Sequence, residues 1–175
     1  MYKILVVCMG NICRSPMAQV VMQTLVNRAG HCNDILIDSA GTHAQHLGEN
    51  MDPRAQTALL RRGYEVGNFK SRRIVAADFA RFDAILAMDT SNFANLARQC
   101  PSDLRTKVQH FLASDSRSPI DVPDPYYGNA FGFEHVLDMC ESGARQWIAW
   151  ISQKTATDKL NNQPSSAAVA PRKTS

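Results

Sequence analysis

Cys8 and Arg14 stand six positions apart in the run Cys8-Met9-Gly10-Asn11-Ile12-Cys13-Arg14-Ser15, and together they have the means to attack and hold an oxyanion. A thiolate is a strong nucleophile. A guanidinium offers a planar fork of donors that matches two oxygens of a tetrahedral anion. Ser15-Pro16 opens a helix, with Ser15 as N-cap and Pro16 at the first helical position. A loop wrapped just before a helix N-terminus can aim successive amides at one point, where the helix dipole adds positive potential. The result is a phosphate-sized cradle made by Met9 to Ser15 with Cys8 at its floor. The same field stabilises a thiolate and lowers a thiol below its free pKa of about 8.5. Gly10 is the only glycine in the loop, so neither the Walker loop nor the dinucleotide fingerprint applies. Cys8, Cys13, His43 and His46 would be the ligands of a zinc alternative, but Arg14 would repel the ion and His-x(2)-His is short for a finger. We expect no metal and no cofactor.

The elements that must position this loop follow from the pattern around it. Tyr2 to Val7 is an almost unbroken apolar run, as a strand buried on both faces requires. A helix follows from Pro16 to about Gly30. Ile35–Asp38 reads as a second strand, Asp52-Pro53 to Gly63 as a helix, Asp83–Met88 as a third strand, Thr90–Cys100 as a helix and Lys107–Phe111 as a fourth strand. A long helix spans about Phe131 to Lys154, with Phe133, Val136, Leu137, Cys140, Trp147, Ile148 and Ile151 at helical spacing. Alternating strands and helices predict an α/β fold: one three-layer domain over 1–154, a four-stranded parallel sheet flanked by helices, and the phosphate-binding loop after strand 1. Residues 155–175, rich in Ser, Ala, Pro and Asn, read as a flexible C-terminal tail.

Length and composition agree with one domain. The chain has 175 residues, 45% of them hydrophobic and 20% charged, and a formal charge of +3 that does not point to nucleic acid. The apolar start is too short for a signal peptide, and no run reaches the length of a membrane helix. Five cysteines without an export signal fit reduced thiols and a cytoplasmic location.

The run Cys8-Met9-Gly10-Asn11-Ile12-Cys13-Arg14-Ser15-Pro16 resembles the signature of the low-molecular-weight protein tyrosine phosphatases, in its bacterial form. The likeness continues in order through Asp38 to Thr42, Asp52 to Ala55, Met88-Asp89 and Asp124-Pro-Tyr-Tyr-Gly128. It implies hydrolysis of phosphotyrosine through a phosphocysteine on Cys8, with Arg14 and the loop amides binding the equatorial oxygens. It further implies that Asn11 fixes the loop and that Ser15 donates to the Cys8 thiolate. Asp124 would protonate the leaving phenolate, and Tyr126 and Tyr127 would wall the ring. Cys13, five residues from Cys8, would capture a sulfenic acid on Cys8 as a disulfide. Partners would be phosphotyrosine-containing proteins, a bacterial tyrosine kinase among them, met by a monomer with no membrane insertion and no bound nucleic acid.

Simpler readings stand beside these. Asp124 in Val-Pro-Asp-Pro is a turn former, Tyr126 and Tyr127 are half-buried rings, Cys13 packs beneath the loop, and Asp89 serves equally as an N-cap. Arg72 and Arg73 face solvent. Two positions depart from the family pattern. Phe69 stands where a histidine often joins the network behind the loop with the serine matched by Ser39, and Gln45 stands where a tryptophan often walls the cleft. The rival activities are arsenate reduction, which needs a further cysteine pair that Tyr64 to Gln99 lacks, and non-catalytic phosphotyrosine binding, which needs neither Cys8 nor Asp124.

Overall fold

The computed structural model describes residues 1–115 and 118–161. Strands β1 (Tyr2–Cys8), β2 (Ile35–Gly41), β3 (Ala84–Ala87) and β4 (Val108–His110) form a parallel sheet in the order β2-β1-β3-β4. β1 is therefore central, pairing Cys8 with Gly41 on one side and Val7 with Ala87 on the other. The chain leaves β1 for one neighbour and later returns to the other, so the loop after Cys8 sits at the switch point of the sheet, where α/β folds bind ligands. A β5–β6 hairpin (Leu112–Asp115, Ser118–Ile120), absent from the sequence reading, follows β4.

Helices α1 (Arg14–Arg28), α2 (Pro53–Arg61) and α5 (Ala130–Asn161) cover one face of the sheet, while α3 (Ala76–Arg81) and α4 (Thr90–Gln99) cover the other. β1 alternates between the two cores: Ile4, Val6 and Cys8 pack with the first group, Leu5 and Val7 with the second. Ile4 to Val7 are fully buried, each contributing roughly 1.5–3 kcal/mol of transfer free energy. This rigid centre holds Cys8 in place.

Three boundaries differ from expectation. α1 begins at Arg14 with Cys13 as its N-cap, so Pro16 occupies the third helical position, not the first. The first-turn amides have no partner within a helix in any case, and a missing N–H there costs nothing. The short α3 was not expected, because six residues carry too little periodicity to be read. α5 continues through 155–161, where a flexible tail was expected. No proline or glycine stands between Gly143 and Pro164 to stop it. Residues 162–175 of the expected tail lie outside the described residues.

Candidate active site

The loop is pinned from outside by its carbonyls. Thr42 N donates to Cys8 O (2.9 Å), His43 N to Met9 O (3.0 Å) and Asp52 N to Ile12 O (2.9 Å). Among the described residues no protein acceptor takes the amides of Gly10, Ile12, Cys13, Arg14 or Ser15. They are free for an anion. Asn11 N donates to Cys8 Sγ at 3.3 Å, which marks the sulfur as the focus of the loop.

Asn11 holds this shape at φ +56°, the left-handed region that asparagine tolerates better than most residues. It is fully buried and fully bonded. Its Oδ1 accepts Arg72 N (2.9 Å), and its Nδ2 donates to Ser15 Oγ and to Ser39 Oγ (both 2.9 Å). Ser15 Oγ lies 3.1 Å from Cys8 Sγ. Gly41 completes the seat, since a Cβ there would stand 2.7 Å from Met9 O.

Arg14, 3% exposed, does not wait empty-handed. Nη1 donates to Asp89 Oδ2 (2.5 Å) and Val122 O (3.1 Å), and Nη2 to Asp124 Oδ2 (2.8 Å). Burial works against its charge, but the Cys8 sulfur, Asp124 and Asp89 outweigh burial and raise its pKa above the ordinary value. Asp89 divides its oxygens: Oδ1 caps α4 through Asn92 N (2.6 Å) while Oδ2 holds Arg14. Asp124 does likewise, its Oδ1 accepting Tyr126 N (3.1 Å) in the turn.

These groups line a cleft of about 220 Å³ bounded by Cys8, Cys13, Arg14, Asp124, Tyr126, Tyr127, His46 and the departure Gln45. The two tyrosine rings meet edge-on at 5.0 Å, and His46 stands 6.0 Å from Tyr126. Tyr127 is 90% exposed, which places it at the rim. Arg54 was not anticipated: it chelates Asp52, donates to Tyr126 O (3.0 Å) and stacks 5.5 Å from the Tyr126 ring. Asp52 sits below the usual carboxylate range because Arg54 overcomes the opposing effect of burial.

Cys13 is buried and lines the cleft beside Cys8. Burial, with help from Asp52, pushes that thiol's pKa up. Cys140, fully buried, lies 3.9 Å from Arg14 O, whereas Cys100 belongs to the core on the other side of the sheet. The zinc alternative finds no cluster of three or more candidate ligands among the described residues. Arg72, expected in solvent, instead bridges Asp38 and Asp78 at 2.9 Å each, because its backbone is tied to Asn11 beneath the loop.

The family model for low molecular weight phosphotyrosine protein phosphatases matches residues 3–157. The chain belongs to that family. A Synechocystis sp. relative named as a low molecular weight protein-tyrosine-phosphatase is 43% identical over 154 residues, covering 87% of this chain and 98% of its own. A solved protein tyrosine phosphatase from Entamoeba histolytica, with Hepes in its active site, superposes with a TM-score of 0.81 at 36% identity, covering 89% of this chain and 99% of its own. Wzb of Vibrio vulnificus, solved in complex with benzylphosphonate, superposes at 0.72 with 30% identity, covering 83% and 96%. This phosphatase is therefore a phosphotyrosine hydrolase, built on the four-stranded parallel sheet that the sequence predicts. No helix among its described residues is long and apolar enough to cross a membrane.

Proposed function

We propose that this phosphatase acts through Cys8 as nucleophile, Arg14 and the loop amides as the oxyanion cradle, and Asp124 as general acid and then base. The observation that carries this reading is that one guanidinium, above Cys8 in the cleft, is bonded to the carboxylate assigned as the acid. A phosphoryl group entering the cradle competes with Asp124 for Arg14 and frees that carboxyl to take up a proton and face the leaving oxygen. Cys8 Sγ then forms the S–P bond as the P–O bond breaks, and the phenolate leaves with the proton of Asp124. In the second step Asp124 takes a proton from water, water oxygen bonds phosphorus, and the thiolate leaves toward Ser15 Oγ.

Tyr126 and His46 form the walls for a flat ring, a role that benzylphosphonate in the Vibrio protein supports for a ring next to a phosphorus oxyanion. Substrates are phosphotyrosine proteins, bacterial tyrosine kinases among them. A monomer suffices, since all the groups assigned to the reaction come from one chain. The cysteines are all free thiols, which suits a reducing cytoplasm. The test is Cys8→Ser: turnover of p-nitrophenyl phosphate should vanish while vanadate binding by calorimetry persists, and substantial residual turnover would remove Cys8 as nucleophile. Arg14→Lys should lose both, for want of the fork.

Cys13 guards the nucleophile in this reading. Peroxide converts the Cys8 thiolate to a sulfenate with loss of water, and the Cys13 thiol condenses with the sulfenic acid to give a disulfide and a second water. Peroxide-treated wild type should recover in dithiothreitol and Cys13→Ser should not; peptide mass spectrometry locates the cross-link, and one from Cys8 to another cysteine defeats the assignment.

A further inference from the structure

The hydrogen-bond chain behind the loop does not end at Ser39. Ser39 is 2% exposed, and its hydroxyl donates to Oε1 of Gln19, half-buried on α1, at 2.6 Å. Each proton in the chain then has a forced direction. Arg72 N can only donate, so the oxygen of Asn11 must face it and the amide nitrogen must face the two serines. Ser39 accepts from Asn11 and therefore has to send its single proton elsewhere, and Gln19 is the acceptor. Ser15 also accepts from Asn11, so its own proton is left for Cys8 Sγ at 3.1 Å or Ala40 O at 3.3 Å. Phe69, which offers no polar atom at the departing position, is partly buried against the core on that side of the sheet.

The geometry points to Gln19 as a positioning residue for the second half of the reaction: it anchors Ser39, hence Asn11, hence the Ser15 hydroxyl that stabilises the departing Cys8 thiolate. This rests on the phosphocysteine reading above. Without an acceptor at position 19 a buried hydroxyl loses its partner, a situation that buried polar groups avoid by reorienting. Ser39 then competes with Ser15 for the geometry of Asn11. The effect is asymmetric. A hydrogen bond to the thiolate favours its departure in phosphocysteine breakdown and does not assist its attack on phosphorus.

The experiment is quench-flow with an activated aryl phosphate, which reads phosphocysteine formation and breakdown as separate rates on the full chain. Gln19→Met, close in volume but without an acceptor, should slow breakdown by about tenfold, the scale of one hydrogen bond to a charged group, with formation within about twofold of wild type. Gln19→Glu keeps an acceptor oxygen and should restore breakdown to within about twofold. Gln23→Met, on the same helix but bonded only to Asn27, should behave as wild type. Ser39→Ala should reproduce the asymmetry of Gln19→Met, and it carries the test by itself if Gln19→Met does not fold. Equal slowing of both steps, unchanged breakdown in Gln19→Met, or a Gln19→Glu defect as large as that of Gln19→Met overturns the assignment. Absence of a phosphocysteine in wild type would instead strike the mechanism it rests on, so the two failures are told apart by the wild-type arm.

Discussion

At the scale of single residues, several side chains divide their polar atoms between two partners. Asp124 is a turn former through Tyr126 N and a partner of Arg14 through its other oxygen; Asp89 divides its oxygens in the same way between α4 and Arg14. A general acid matters most when the leaving oxygen is basic. Asp124→Asn should therefore cost about 10²–10⁴-fold on esters of basic phenols and much less on activated ones. The slope of the single-turnover rate against leaving-group pKa checks this, and an unchanged slope would leave Asp124 with its turn alone. Cys8 and Arg14 could be singled out from their spacing before a helix start, whereas Asp124 stood out from a turn only through the family resemblance. Gln19 and Arg54 could not be singled out, because an amide and a guanidinium on ordinary helix positions look the same whether they meet a serine, a carboxylate or water.

At the scale of elements, the parallel strands and the long helices could be read from apolar runs and caps, and their alternation implied the parallel sheet, while the strand order β2-β1-β3-β4 came only with the structure. The start of α1 could not, since proline is as comfortable at the third position of a helix as at the first. Nor could the end of β2. Asp38-Ser-Ala-Gly41 lacks the branched residues that announce a strand, yet it continues as one because Gly41 alone lets the cradle lie against it. Gly41→Ala places a Cβ 2.7 Å from Met9 O and 3.2 Å from Asn11 N, so the loop must move by several tenths of an ångström. Misplacement on that scale should lower kcat/KM by on the order of 10²-fold. Steady-state kinetics beside a melting curve will read it, the curve showing whether the protein remains folded.

At the scale of the whole molecule, α5 ties the fold to the site: Cys140 packs beneath Arg14, and Glu134 and Asp138 clamp Arg62 just past α2. Among the described side chains Ile151 is the last that α5 gives to the core, and removal of 162–175 should leave kcat/KM within about twofold of the full chain. A larger loss in the truncated enzyme would give those residues a part in the reaction. The tail boundary misread at Lys154 reflects how little composition says about a helix that simply meets no proline.

The reach of these contacts has a bearing on how the protein is made. Cys8 precedes its site's partners along the chain: Asn11 waits for Arg72, and Arg14 for Val122 and Asp124. Until Asp124 has been added Arg14 lacks its partners there, and Cys8 is one thiol among four, with Cys13, Cys32 and Cys100. A nascent chain is thus not a half-working enzyme. The site is assembled only when the segment carrying Asp124 closes over the cradle begun by the first strand.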